Sequence, residues 1–169
     1  LLAAVYGGYW FYGAAAVEKS ATEAIADLTA EGWQIDYADL DTAGFPNRFD
    51  TALTDFSVRE PVTGITWSAP VVEALALAYI PDRAIVAFAP SQTITLPSGE
   101  ALTLASDGLR ASLDYSLVGG FALNAMTAEV GQLTVLSDSG WRASSSRSLV
   151  AQRRVADDAA SHDLWLETE

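Results

Sequence analysis

The chain has 169 residues, enough for one domain with a sizeable core, and 50% of them are hydrophobic. Its net charge of −13, with a sequence pI of about 4.2, repels phosphate backbones and anionic lipid, so nucleic acid is excluded as a natural partner. There is no cysteine, which removes thiol catalysis, disulfides and sulfur-ligated metals, and the one histidine, His162, near the C-terminus, nearly excludes a Ser-His-Asp triad or a multi-histidine centre.

Residues 1–17 carry no charge, and Tyr6, Tyr9, Trp10, Phe11 and Tyr12 cluster as in an interfacial aromatic belt. The run is just short of the roughly 20 apolar residues of a spanning helix. The chain opens on Leu1 rather than Met, and further residues are expected upstream. Three readings compete: a membrane anchor, a buried core helix, and a cleaved signal peptide with Ala14, Ala15 and Ala16 near the cut. The anchor reading is preferred, because nothing charged interrupts the run. One weakly basic flank, Lys19 beside several acids, then places the remainder in the periplasm or outside. Lys19 is also the sole lysine, so the acid excess equally fits adaptation to high salt.

Residues 18–31 read as helix, with Ala21, Ala24, Ile25 and Leu28 on one stripe. Ser20 and Glu23 suggest a capping box and a separate helix start, unless the helix continues from the anchor. Gly32 is a natural stop. From Trp33 the period changes: Trp33, Ile35 and Tyr37 alternate with Gln34, Asp36 and Ala38 as in a half-buried strand. Asp36, Asp39 and Asp41 lack calcium-loop spacing and read as a solvated acidic face.

The segment Gly44-Phe45-Pro46-Asn47-Arg48-Phe49-Asp50 reads as a structural corner between strands. Phe45 and Phe49 give it apolar anchors. Arg48 is expected to tie carboxylate and carbonyl groups with its fork of donors, at about 1–3 kcal/mol for a buried charge-assisted bond. Residues 49–58 follow as a strand, with a turn at Pro61 and Gly64. Ile65, Thr66 and Trp67 resume a strand that Pro70 breaks or confines to an edge. Residues 71–80 are ambiguous between helix and strand and are read as strand. It pairs with residues 84–88 across a turn at Pro81 and Asp82. Thr93 to Leu96 and Leu102 to Leu104 flank Pro97-Ser98-Gly99, a strong hairpin signal.

Leu109, Ala111, Leu113 and Tyr115 continue with period 2, and Gly119-Gly120 turns the chain. Strand-like patches follow at Phe121, Leu123, Ala125, Leu133 and Val135. Four of the nine basic residues (Arg142, Arg147, Arg153, Arg154) lie in residues 141–155 and read as a solvated strand or helix face. His162 is expected at the surface. No phosphate-binding loop and no nucleophile elbow is present.

Several ordered motifs carry a family resemblance. They are the corner Gly44 to Asp50, then Thr66-Trp67-Ser68-Ala69-Pro70, Ala76-Leu77-Ala78-Tyr79-Ile80-Pro81, Gln92-Thr93-Ile94-Thr95-Leu96-Pro97, and Leu109-Arg110-Ala111-Ser112-Leu113. In this order they resemble the bacterial family catalogued as domain of unknown function twenty-one twenty-five. The resemblance runs from the N-terminal hydrophobic segment to about Leu113 and more loosely beyond. It implies an N-terminal signal or anchor, a β-rich envelope domain, and a chain that lacks its C-terminal part. The family has no established activity, so no catalytic residue is carried over.

The fold expected is α+β and mainly β: an N-terminal anchor or packing helix over residues 1–31, then a long, curled antiparallel sheet over residues 32–169. The expected role is a membrane-anchored envelope protein whose sheet offers a groove to a lipid or other hydrophobic ligand. An envelope structural or assembly protein, its protein partner unknown, is the rival. A carboxylate-pair hydrolase is a distant third. No catalytic, cofactor or metal residue is assigned. Gly44, Phe45, Pro46, Arg48, Phe49, Asp50, Trp67 and Pro70 are singled out as structural.

Overall fold

The computed structural model describes residues 2–116, 122–155 and 158–168. One helix, α1 (Leu2–Ala30), precedes thirteen strands in a single antiparallel sheet. The strands are β1 (Gln34–Asp36), β2 (Asp39–Ala43), β3 (Arg48–Arg59), β4 (Thr66–Leu77), β5 (Ile80–Phe88), β6 (Ser91–Thr95) and β7 (Ala101–Ser106). They continue as β8 (Arg110–Ser116), β9 (Ala122–Val130), β10 (Leu133–Ser137), β11 (Arg142–Ser145), β12 (Ser148–Val155) and β13 (Asp158–Thr168). The sheet is open and does not close into a barrel.

α1 is continuous, so Ser20 and Glu23 start no separate helix. Gly32, at φ +100°, ends it: its N–H bonds Thr29 O at 3.0 Å, and Trp33 N bonds Leu28 O at 3.1 Å. These two bonds satisfy carbonyls that the helix end would otherwise leave open. Trp33, Ile35 and Tyr37 are half-buried while Gln34, Asp36 and Ala38 are exposed, which is the predicted alternation.

The pairing pattern resolves into a simple meander. β1 and β2 both lie along β3; β5 and β6 both lie along β4. The pairs β5·β8, β6·β7, β8·β9, β7·β10, β9·β12 and β10·β11 repeat the arrangement. Each pair of short strands is therefore one long strand interrupted at a common level. The interruptions fall at Tyr37–Ala38, Ala89–Pro90, Asp107–Leu109, Gly131–Gln132 and Ser146–Arg147. They align with Asp55 (φ 49°) inside β3 and Pro70 inside β4. A transverse crease thus crosses the sheet.

Apolar side chains switch alternation at this crease. On the β5 side, paired residues on one face read Thr51, Ala74, Val86, Ala111, Ala128, Val150, Leu166, and beside them Phe49, Ala76, Ala84, Leu113, Met126. On the β6 side the apolar row is Val58, Trp67, Ile94, Leu102, which has the opposite parity along β4. The Trp67 ring meets Phe56 and Phe88 at centroid distances of 5.5 and 5.8 Å, joining the two apolar sets across the crease.

Two expectations need correction. The turn between β4 and β5 lies at Ala78–Tyr79, and Pro81 and Asp82 belong to β5. Pro70 neither breaks β4 nor marks an edge: β4 has β3 on one side and β5 and β6 on the other. Pro70 sits where β5 and β6 part, so its missing N–H deprives neither of them of a ladder bond. Of the strand or helix left open for residues 141–155, the structure has strand, in β11 and β12. The Gly119-Gly120 turn, Phe121 and the His162 side chain lie outside the described residues.

Candidate functional site

The core is small and lies where α1 crosses the sheet. Trp10, Ala14, Phe49 and Ala78 are buried together, with Val17 packed against them. Trp10 Nε1 donates to Arg48 O at 2.7 Å, Tyr9 Oη to Ala78 O at 2.9 Å, and Thr42 N to Glu18 Oε1 at 2.9 Å. Gly13 allows this approach, because a Cβ there would fall 2.5 Å from Phe49 Cζ.

The corner predicted from Gly44 to Asp50 is the β2–β3 turn, and it meets α1 directly. Gly44 has φ +99°, and a Cβ would lie 2.9 Å from Arg48 O, so glycine is required. The Phe45–Pro46 peptide is cis. Phe45 packs edge-on to Trp10 and parallel to Phe11. Asn47 O accepts Ala78 N at 3.0 Å, binding this turn to the β4–β5 turn. Arg48 Nη2 meets Asp50 Oδ2 at 2.5 Å, but the Arg48 side chain is 56% exposed, so the tie is a surface pair and not the buried bond expected. Trp67 and Pro70 belong elsewhere, at the crease. There Trp67 Nε1 donates to Gln92 Oε1 at 2.9 Å, and Gln92 Nε2 donates to Ala89 O at 3.3 Å.

Two surfaces remain as candidate sites. The first is the apolar side of the sheet beyond α1, which packs on β1, β2, β3 and Ala78 of the β4–β5 turn. From β4 to β13 the apolar rows have no second layer over them among the described residues. Val86, Leu113, Met126 and Val150 are half-buried, and Leu164 and Leu166, on β13, are 73% and 67% exposed. No large side chain anywhere in the described chain is fully buried. The second is a cavity of about 510 Å³ on the opposite face, where Leu75, Leu77 and Ile85 meet Ser112 and Thr127. Arg83 and Asp114 pair at its margin at 3.5 Å.

Titratable chemistry is sparse. Glu100 accepts hydrogen bonds from the Ser137 and Ser139 hydroxyls and from Trp141 Nε1, and these hold its carboxyl below the usual range. It therefore clasps the β6–β7 turn to the β10–β11 turn as a carboxylate. Glu60 is lowered in the same way by Thr63 and Val62. Burial and then the charge of Asp82 push the Tyr115 hydroxyl up. Among the described residues, no cluster of His, Asp or Glu has the makings of a metal site. Asp36, Asp39 and Asp41 are exposed along β1 and β2.

The model of a family described as an uncharacterized protein conserved in bacteria (DUF2125) matches residues 10–169. The chain belongs to this family. The match extends well past Leu113, through β13, so the looser C-terminal resemblance is part of the same unit. No curated protein and no solved structure matches the chain. No helix among the described residues is long and apolar enough to cross a membrane, which says nothing of crossing by strands.

Sequence reasoning missed the sites that pairing creates. The Glu100 clasp joins residues up to 41 positions apart, and no local signal marks it. The apolar rows are different, because their parity is written in the sequence.

Proposed function

We propose that this DUF2125 protein is a non-enzymatic envelope module that holds a lipid acyl chain, or a similar apolar ligand, along the open side of its sheet. The observation that carries this reading is the apolar row from β4 to β13, with a second beside it from β4 to β9, and no second layer over them among the described residues. A soluble sheet ordinarily hides such a face against a helix or a second sheet. Here α1 covers the β1–β3 end and the β4–β5 turn at Ala78. Six adjacent strands, β4, β5, β8, β9, β12 and β13, give a track about 24 Å long at the usual spacing of neighbouring strands. One leaflet of a bilayer core is about 15 Å deep, so the track accommodates an extended acyl chain. Ala74, Ala111 and Ala128 keep the track shallow and narrow, which suits a thin chain better than a fused-ring ligand.

The test is native mass spectrometry of the protein extracted under mild conditions, followed by lipid identification. A co-purifying lipid lost in Ala128→Glu or Val150→Glu variants that remain folded supports the reading. Repeated absence of any lipid counts strongly against it.

A second reading, envelope assembly, has its own observation. β13 lies at the end of the strand path and exposes Leu164 and Leu166 on one face and Trp165 on the other. Such a strand adds readily to another chain. Crosslinking from residue 165 in intact cells separates the readings: a protein adduct there favours assembly.

A further inference from the structure

The aromatic residues of α1 do not stand alone. Trp10 and Tyr9 are bonded to Arg48 and Ala78, which places them level with the β2–β3 and β4–β5 turns. The helix residues before Tyr9 therefore continue past the level of these turns. Gly7 and Gly8 have no atom within 4 Å of where a Cβ would stand, so nothing packs on the helix there. Around this end of the sheet, three elements expose aromatic rings. Tyr6, Tyr9, Phe11 and Tyr12 come from α1, Phe45 from the β2–β3 turn, and Tyr79 from the β4–β5 turn, all between 42% and 78% exposed. Phe45 is tied into the group by its stacking on Phe11.

We propose that this collar seats the molecule on the surface of a zwitterionic lipid bilayer, with the overhanging turns of α1 entering the headgroup and upper acyl region. Four of the six rings are tyrosines, which combine an apolar body with a polar tip and favour the membrane–water boundary. No charge lies on α1 before Glu18, and Glu18 is bonded to Thr42. Of the charges beside these turns, Arg48 pairs with Asp50 and Arg83 with Asp114, and Asp82 adds negative charge. The collar has no basic residue to attract anionic headgroups, and the protein as a whole carries −13. Neutral headgroups are thus the matching chemistry, and binding is apolar rather than electrostatic. Because Trp10 clamps α1 to the sheet, the protein sits flush on the membrane instead of swinging on a tether. This inference does not rest on the acyl-chain reading.

The experiment is flotation of the full chain with phosphatidylcholine vesicles, repeated with vesicles containing phosphatidylglycerol and at raised salt. Phosphatidylcholine binding that salt does not weaken, and that phosphatidylglycerol does not strengthen, is expected. A Phe45→Ser/Tyr79→Ser double variant should bind about tenfold more weakly, as two exposed rings leave the interface. Phe45 also packs on Trp10 and Phe11, so binding is compared at a temperature where circular dichroism shows parent and variant both fully folded. Val62→Ser, at the most exposed apolar residue of the opposite end, should change nothing. Three outcomes overturn the proposal: no binding to phosphatidylcholine, unchanged binding by the double variant, or equal loss in Val62→Ser. A fourth also does: a dimer in solution that the double variant dissociates while neither form floats, which would make the collar an interface between copies.

Discussion

Whether α1 is an integral part of the folded domain is decided by Gly13 and Phe49. In an exposed helix Gly→Ala gains about 1 kcal/mol, because glycine has more backbone freedom to lose. At position 13 the new methyl would stand 2.5 Å from Phe49 Cζ, 3.2 Å from Cε1 and 3.5 Å from Cε2. Phe49 is 5% exposed and held between Trp10, Ala14 and Ala78, so its ring cannot step aside freely. Overpacking of this kind costs about 1–3 kcal/mol. Gly13→Ala should therefore lower stability by about 0–2 kcal/mol net of the propensity gain. Phe49→Leu shortens the ring and should itself cost about 1–2 kcal/mol as a partial cavity. In that background the methyl has room, and Gly13→Ala should recover its gain of about 1 kcal/mol. The double-mutant cycle then gives a coupling energy of about 1–3 kcal/mol. Urea denaturation followed by far-ultraviolet circular dichroism measures all four corners. Full stabilisation by Gly13→Ala in the parent, with no coupling to Phe49, would refute the packing of α1 on β3 and leave the helix free to act as an independent anchor.

Arg48→Ala should cost about 1 kcal/mol, since the Arg48 end of the pair is 56% exposed but the Asp50 carboxylate it leaves is 19% exposed; a loss of about 3 kcal/mol would show a buried role. Trp67→Phe keeps the ring contacts but removes the donor to Gln92, which is 4% exposed, and should cost about 1–3 kcal/mol in urea denaturation. Glu100 has a folded pKa below its unfolded one, so its stabilising effect is present above the ordinary carboxylate range and is lost as pH falls through the folded pKa. The melting temperature of Glu100→Gln should consequently lie below the parent's at neutral pH and converge with it on acidification; a constant gap across pH would be inconsistent with the clasp.

Much of the architecture was readable in advance, and the reasons are local. Gly32 marks the change from a period near 3.6 to a period of 2, and the structure changes there from helix to sheet. Pro97-Ser98-Gly99 makes the β6–β7 hairpin, with Leu96 N bonded to Glu100 O at 2.9 Å. The turn misplaced at Pro81 shows the limit: Ala78-Tyr79 has no turn residue, and tertiary bonds from Asn47 O and Tyr9 hold it instead. The crease was visible in principle. Apolar parity changes between Trp67 and Val72, between Leu104 and Ala111, and between Val130 and Leu133, and Pro70, Gly108 and Gly131 stand at those points. Reading each patch separately hid this, because the signal lies in the phase between patches. The corner was legible as a turn, but its partner was not. Nothing near Gly44 announces that Trp10, 38 residues from Arg48, will close over it.

The sequential pairing of strands has a consequence for how the chain comes together. Every long strand lies against the one before it and the one after it, so each hairpin closes over a short loop and carries a small entropic penalty. Assembly can proceed stepwise from one completed hairpin to the next, with each arrival supplying the edge that receives its successor. A chain emerging gradually, whether from a ribosome or through a narrow pore, never has to wait for a distant segment before its sheet begins to grow. Only α1 stands outside this order. It emerges first, yet its bonds at Arg48 and Ala78 are made to strands that follow, so its docking on the sheet waits for β3 and the β4–β5 turn.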